Sequence, residues 1–294
     1  MPNYNGVWSL TTQLQYAADW PVFSQPRALF LGGNTGSKET VIQFIDVTTT
    51  GNASDFGDLT AGRASLMSAS SKIRAVAAGG NTGSAVNVID YVTIASEGNA
   101  SDFGDLSSTS QEGTGTGSST RGLFQLGLAT DNVNTIEYVT IASTGNATDF
   151  GDRTTTAAYG QDSAVSSPTR GVFSGGFISS SVNIIDYVTI ASTGDATDFG
   201  DTSVTRYGMG GASSATRGVF GGGNTSGDTM DYITIASTGN ASDFGNLTNS
   251  PRYISGTSNG VRGIFGGGKV SSTRQDVIQY ITIASTGNAS DFGN

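Results

Sequence analysis

The sequence predicts an all-β protein: a six-bladed β-propeller with four antiparallel strands per blade. Three observations lead there. One phrase recurs six times in register. Each copy holds short runs of β-branched and aromatic residues between turn residues, with no run of helical period. Every connection within a copy is short enough to join antiparallel neighbours. An arginine opens the copies at Arg27, Arg74, Arg121, Arg170, Arg217 and Arg262. The central aromatic is Phe44, Tyr91, Tyr138, Tyr187, Tyr232 and Tyr280, and the closing phenylalanine is Phe56, Phe103, Phe150, Phe199, Phe244 and Phe292. Copies lie 45 to 49 residues apart, a period that marks a repeat architecture. A β-solenoid competes, but it usually repeats in shorter coils and needs capping at both ends. A propeller closes on itself and leaves only short, protected edges.

The fifth copy shows the elements in order. Arg206 to Ser214 is small and polar, which suits an innermost strand crowded at an axis. Arg217-Gly-Val-Phe-Gly-Gly-Gly is the second strand, ending in glycines. Met230 to Ser237 is rich in β-branched and aromatic residues and is the third. Ser242-Asp-Phe-Gly-Asn-Leu is a short outer strand. Asn259-Gly260 in the sixth copy is strong hairpin chemistry between the first two strands. Thr238-Gly-Asn240 reads as a turn between the last two. Residues 23–294 form the propeller. Residues 1–22 stand outside the repeat and have two open readings. Val7-Trp-Ser-Leu either zips onto the last blade as a clasp that closure needs, or Tyr4 to Trp20 docks on another protein.

Composition narrows the function. Charged residues make up 13% of the chain, about half the usual share, so Ser, Thr, Asn and Gly cover much of the surface. A net charge of −10 without a basic run argues against nucleic acid as a partner. No histidine or cysteine is present, which removes the usual zinc and haem ligands and Ser-His-Asp or Cys-His catalysis. No cofactor and no metal are expected. The N-terminus has neither a basic region nor an apolar core, so a cleavable signal peptide is not expected. No apolar run approaches the roughly 20 residues of a membrane span, so no membrane insertion is expected.

Acid catalysis survives the loss of histidine, and the chain holds 24 carboxylates. Asp55, Asp58, Asp102, Asp105, Asp149, Asp152, Asp198, Asp201, Asp243 and Asp291 belong to the Asp-Phe-Gly-Asp phrase. Asp90, Glu137, Asp186 and Asp231 precede the central aromatic. A catalytic pair breaks a repeat and these keep it. They are expected to accept backbone hydrogen bonds or to meet the repeated arginines, as Asp198 would meet Arg170. Gly-Asn-Ala-Ser-Asp-Phe-Gly-Asp lacks the denser oxygen run of a calcium loop. Gly221 to Gly227 looks like a phosphate loop, but no helix follows, and it is read as a strand end.

Two kinds of connection vary among the copies. The connections from second to third strand vary, and so do those from outer strand to next innermost strand. In an up-and-down blade these share one face. The turn between third and outer strands hardly varies and lies on the other. Loops on a rigid scaffold commonly carry function, so the diverse face is the expected binding face. Candidate contacts are Asn34, Lys38, Asp131, Phe177 and Lys269. The low charge predicts hydrogen bonding and aromatic stacking with little salt dependence.

Two resemblances add to this. Pro251-Arg252-Tyr253, Phe265-Gly-Gly-Gly, Tyr280 and Phe292 follow the order of the kelch repeat. The chain departs from it with Phe where kelch usually has Trp, and with Leu126-Gly127 for the diglycine of the third copy. This resemblance covers residues 20 to 294 and implies the propeller fold. The phrase Ile-Asp-Tyr-Val-Thr-Ile-Ala-Ser-Thr-Gly and the opening Asn5-Gly-Val-Trp-Ser-Leu resemble tail-fibre-like virion proteins of tailed bacteriophages, cyanophage-like ones in particular. That resemblance implies a non-enzymatic tail fibre or tail-associated adhesin in the virion, made in the host cytoplasm. Its partners would be other virion proteins and a host surface glycan or protein. A purely structural decoration or connector protein is the alternative, with a carbohydrate-active enzyme behind it.

Overall fold

The computed structural model describes residues 26–128, 133–157 and 163–294. Blade 1 holds β1 (Arg27–Asn34), β2 (Lys38–Asp46) and β3 (Ser54–Asp58). Blade 2 holds β4 (Met67–Ser70), β5 (Arg74–Ala78), β6 (Val86–Thr93) and β7 (Ser101–Ser110). Blade 3 holds β8 (Thr114–Gly117), β9 (Arg121–Gln125), β10 (Val133–Thr140) and β11 (Thr148–Ala157). Blade 4 holds β12 (Ser163–Ser166), β13 (Arg170–Ser174), β14 (Ile184–Thr189) and β15 (Thr197–Asp201). Blade 5 holds β16 (Met209–Ser213), β17 (Arg217–Gly222), β18 (Thr229–Thr234) and β19 (Ser242–Asn246). Blade 6 holds β20 (Ser255–Ser258), β21 (Arg262–Gly266), β24 (Ile278–Thr282) and β25 (Ser290–Gly293), with the hairpin β22 (Lys269–Val270) and β23 (Thr273–Arg274) inserted before β24. Each blade is an antiparallel meander in chain order, so the fold is the six-bladed propeller that the repeat predicts. Blade 1 has three strands among the described residues, and the 1–22 segment lies outside them.

The apolar phrase is explained by stacking of blade on blade. Second strands are buried on both faces: Gly171, Val172, Phe173 and Ser174 are all buried. The closing phenylalanine of one blade packs into the next. Phe199 of blade 4 meets Met209, Phe220 and Ile233 of blade 5, and Phe292 of blade 6 meets Ala28, Ile45 and Val47 of blade 1. Six such clusters fill six interfaces. Each phenylalanine so buried contributes about 2–3 kcal/mol.

The uniform turn after the third strand is the second fastener. It is not a tight hairpin. Gly239 donates its N–H to Phe199 O at 2.7 Å and Ala241 donates to Asp201 O at 2.8 Å, both in the preceding blade. Asn240 Oδ1 accepts the Asp201 N–H at 3.1 Å. The same triple recurs at every junction, including the closing one. There Gly51 N–H meets Phe292 O at 2.8 Å, Ala53 N–H meets Asn294 O at 2.7 Å, and Asn52 Oδ1 accepts the Asn294 N–H at 3.2 Å. Blades 6 and 1 thus join through backbone bonds made by described residues alone, whereas the sequence reading held that closure needs the 1–22 clasp. The glycine of the receiving strand leaves room for the fastener: a methyl on Gly200, at φ +144, would sit 2.5 Å from Gly239 O.

Innermost strands of successive blades pack against one another. A methyl on Gly115 would lie 2.2 Å from Ser68 O, and one on Gly211 would lie 2.3 Å from Ala164 O. Small residues are therefore a steric requirement at the axis. The innermost strand of blade 5 begins at Met209, and Arg206 lies outside it. The hairpins into the second strands close on a polar side chain. Asn259 Oδ1 accepts the Val261 and Arg262 N–H groups, and Ser214 Oγ accepts those of Thr216 and Arg217.

Candidate functional site

The repeated arginines are structural, by a route different from the expected one. Arg170 stacks its guanidinium 4.4 Å from the centre of the Tyr187 ring. It donates to Ile235 O of the next blade at 2.9 Å. All six opening arginines repeat this, stacked at 4.4 to 4.8 Å. Behind each stacked aromatic stands the closing phenylalanine, edge-on, as Phe199 stands 5.9 Å from Tyr187. Asp198 is exposed, and the expected Arg170–Asp198 contact does not form.

The acids before the central aromatic pair with other arginines, which the sequence reading missed. Asp90 binds Arg63 at 2.5 Å, Asp186 binds Arg153 at 2.9 Å, and Asp231 binds Arg206 at 2.7 Å, every side chain at most 1% exposed. Arg63 and Arg206 come from the connection that enters the acid's own blade, and Arg153 comes from β11, the outer strand of the preceding blade. Burial pushes the Arg63 and Arg206 guanidinium groups below their ordinary pKa, and the facing carboxylate works against that shift. Asp90, Asp231 and Glu137 also accept backbone N–H groups from Thr60, Ser203 and Ser107, as the sequence predicted. Blade 6 replaces the acid with Gln279, which takes the Thr248 N–H and donates to Asn249.

The diverse connections do share one face, where backbone bridges tie them together: Ala64 with Asn81, Gln111 with Leu128, Arg252 with Lys269. On this face Phe177, Tyr207 and Tyr253 form a chain of half-buried rings. Phe177 and Tyr207 lie 5.4 Å apart at 74°, and Tyr207 and Tyr253 lie 6.0 Å apart. Tyr253 holds φ +58 and Glu112, in another connection, holds +62. Non-glycine residues seldom adopt this conformation, and it costs about 1–3 kcal/mol. Burial and the neighbouring Tyr207 hydroxyl push the Tyr253 phenol up to about 12, with Arg252 opposing. Beside the rings, between blades 5 and 6, lies a cleft of about 400 Å³ lined by Gly223, Asn224, Gly227, Ser250, Arg252, Lys269, Ser271 and Ser272.

The sequence-predicted contacts fall in different places. Phe177 belongs to the ring chain and Lys269 to the cleft. Asn34 is exposed at the end of β1, where its Oδ1 accepts from Arg274 of blade 6 at 3.2 Å. Lys38 begins β2, outside both features. Asp131 lies outside the described residues. Tyr207, Arg252 and Tyr253, which lie beside Phe177 and Lys269, were not among the sequence-predicted contacts. Their signal was the dipeptide Arg-Tyr in two successive connections, at Arg206 and Arg252. No protein-family model matches the chain, and no curated protein matches it.

Proposed function

We propose that this protein is a non-enzymatic, kelch-like propeller of a tailed-bacteriophage virion, a tail fibre or tail-associated adhesin that binds a glycan of the host surface. The observation that carries the binding reading is the ring chain Phe177–Tyr207–Tyr253 on the diverse face, with Tyr253 held in a strained conformation. Half-buried aromatics present an apolar body and a polar tip. With convergent polar groups beside them, they suit the mixed C–H and hydroxyl faces of a sugar. The kelch-like assignment is supported by the glycine pairs that end second strands with positive φ, such as Gly222 and Gly223. The virion setting is supported by the tandem phrase alone. A non-enzymatic role is supported by Asp90, Asp186 and Asp231, buried in ion pairs.

Tyr253→Gly tests the site, because it deletes the ring while relieving the left-handed backbone. The variant should keep or raise the melting temperature and lose at least about tenfold in binding to host cells. Retained binding would remove the ring chain from recognition. Binding lost on protease treatment of the cells, yet kept after glycan removal, would make the receptor a protein.

A further inference from the structure

The two Arg-Tyr dipeptides align in sequence but not in space. In the connection into blade 5, Arg206 O accepts from Gly176 N, and Tyr207 O accepts from Asn224 N. In the connection into blade 6, the carbonyl corresponding to Arg206 O is that of Pro251, which accepts from Gly223 N. Arg252 bridges Lys269 and so occupies the place of Tyr207. Arg-Tyr is thus displaced by one residue. Buried Pro251 stands where Arg206 stands, and Gln279 stands where Asp231 stands. Both interior charges have gone together, and the arginine has moved out to the cleft.

There Arg252 and Lys269 line one wall system with no carboxylate among the described lining residues. Neither makes an ion pair or a side-chain hydrogen bond among the described residues, and the Arg252 Nε is buried without an acceptor. The Arg252 guanidinium lies 5.5 Å from the Tyr253 ring centre, which joins the cleft to the ring chain. Ser271, at φ +55, lines the cleft with strained backbone, and Ser226, at φ +50, precedes the lining residue Gly227. Asp228 follows Gly227 but is not in the lining. The depression on the opposite face, between blades 3 and 4, offers no such group, since its Arg121 stacks on Tyr138 and donates to Ile190 O.

We infer that the cleft between blades 5 and 6 is an anion subsite, and that the glycan recognised is acidic. A carboxylate or sulfate of the sugar lies between Arg252 and Lys269, while its ring packs on Tyr253. This rests on the glycan-binding reading above. It replaces, at this site, the weak salt dependence that composition alone predicts, because charge-assisted contacts to a partly exposed anion are screened by salt.

The test is an array of neutral, uronate-containing, sialylated and sulfated glycans, probed with the full chain and with Arg252→Gln/Lys269→Gln. Unchanged melting of the variant would confirm that it folds. Acidic glycans should be retained, at least about tenfold more weakly at 0.5 M than at 0.05 M salt, and the variant should lose them. Retention of neutral glycans, or equal binding by the variant, would overturn the anion subsite and leave the glycan reading standing. Retention of no glycan at all would overturn both.

Discussion

Gly51 donates its backbone N–H to the carbonyl of Phe292, 2.8 Å away, and so joins the first blade to the last. Gly98 with Phe56, Gly145 with Phe103, Gly194 with Phe150, Gly239 with Phe199 and Gly287 with Phe244 make the same bond. The closing junction is therefore one of six equivalents. Asn52→Ala and Asn240→Ala each remove one side-chain acceptor of this fastener and should destabilise by a similar amount, about 1 kcal/mol. Denaturant unfolding measures it. A silent Asn52→Ala beside a costly Asn240→Ala would show that the closing junction differs from the rest.

Arg170 combines ring stacking with a charged hydrogen bond to the next blade. Arg170→Ala should lower stability by about 2–3 kcal/mol with binding unchanged. Arg170→Lys should recover only part, because an ammonium cannot stack as a planar guanidinium does. If the alanine variant melts normally but binds less, this arginine belongs to a site.

The Arg206–Asp231 pair is fully buried. Removing one member strands the other charge, so Arg206→Met should cost about 3–5 kcal/mol. The double variant Arg206→Met/Asp231→Leu should recover most of that loss, as the uncharged Pro251 and Gln279 of blade 6 suggest. A double variant as damaged as Arg206→Met alone would show that the pair itself stabilises.

Tyr253 gives a pH signature. Its phenol, pushed up to about 12, lies above the ordinary value of about 10 for an unfolded tyrosine. Its contribution to stability is therefore complete below about pH 10 and is lost as pH rises through about 12. Melting temperatures between pH 9 and 12 should fall less steeply for Tyr253→Phe than for the unmodified protein. Equal slopes would show a phenol no more buried than an exposed one.

The six blades and their two unlike faces were legible because six copies reinforce each anchor. Partners were less legible. A phrase identical in every copy cannot say whether Asn240 bonds within its own blade or to the preceding one, and the carbonyls that receive Arg170 carry no side-chain signature. The displacement of Arg252 relative to Arg206 was hidden for a related reason. Identical dipeptides suggest identical places, and only the bridge to Lys269 and the buried Pro251 reveal the one-residue offset.

The central claim is that recognition resides on the diverse face. Grafting the loops of one copy, here the second- to third-strand and interblade connections of blade 2, onto all the others tests it with the closing fasteners untouched. Host-cell adsorption of the grafted protein should be lost while the melting temperature stays within a few degrees. Adsorption that survives the graft would contradict the claim and put the contact elsewhere on the ring.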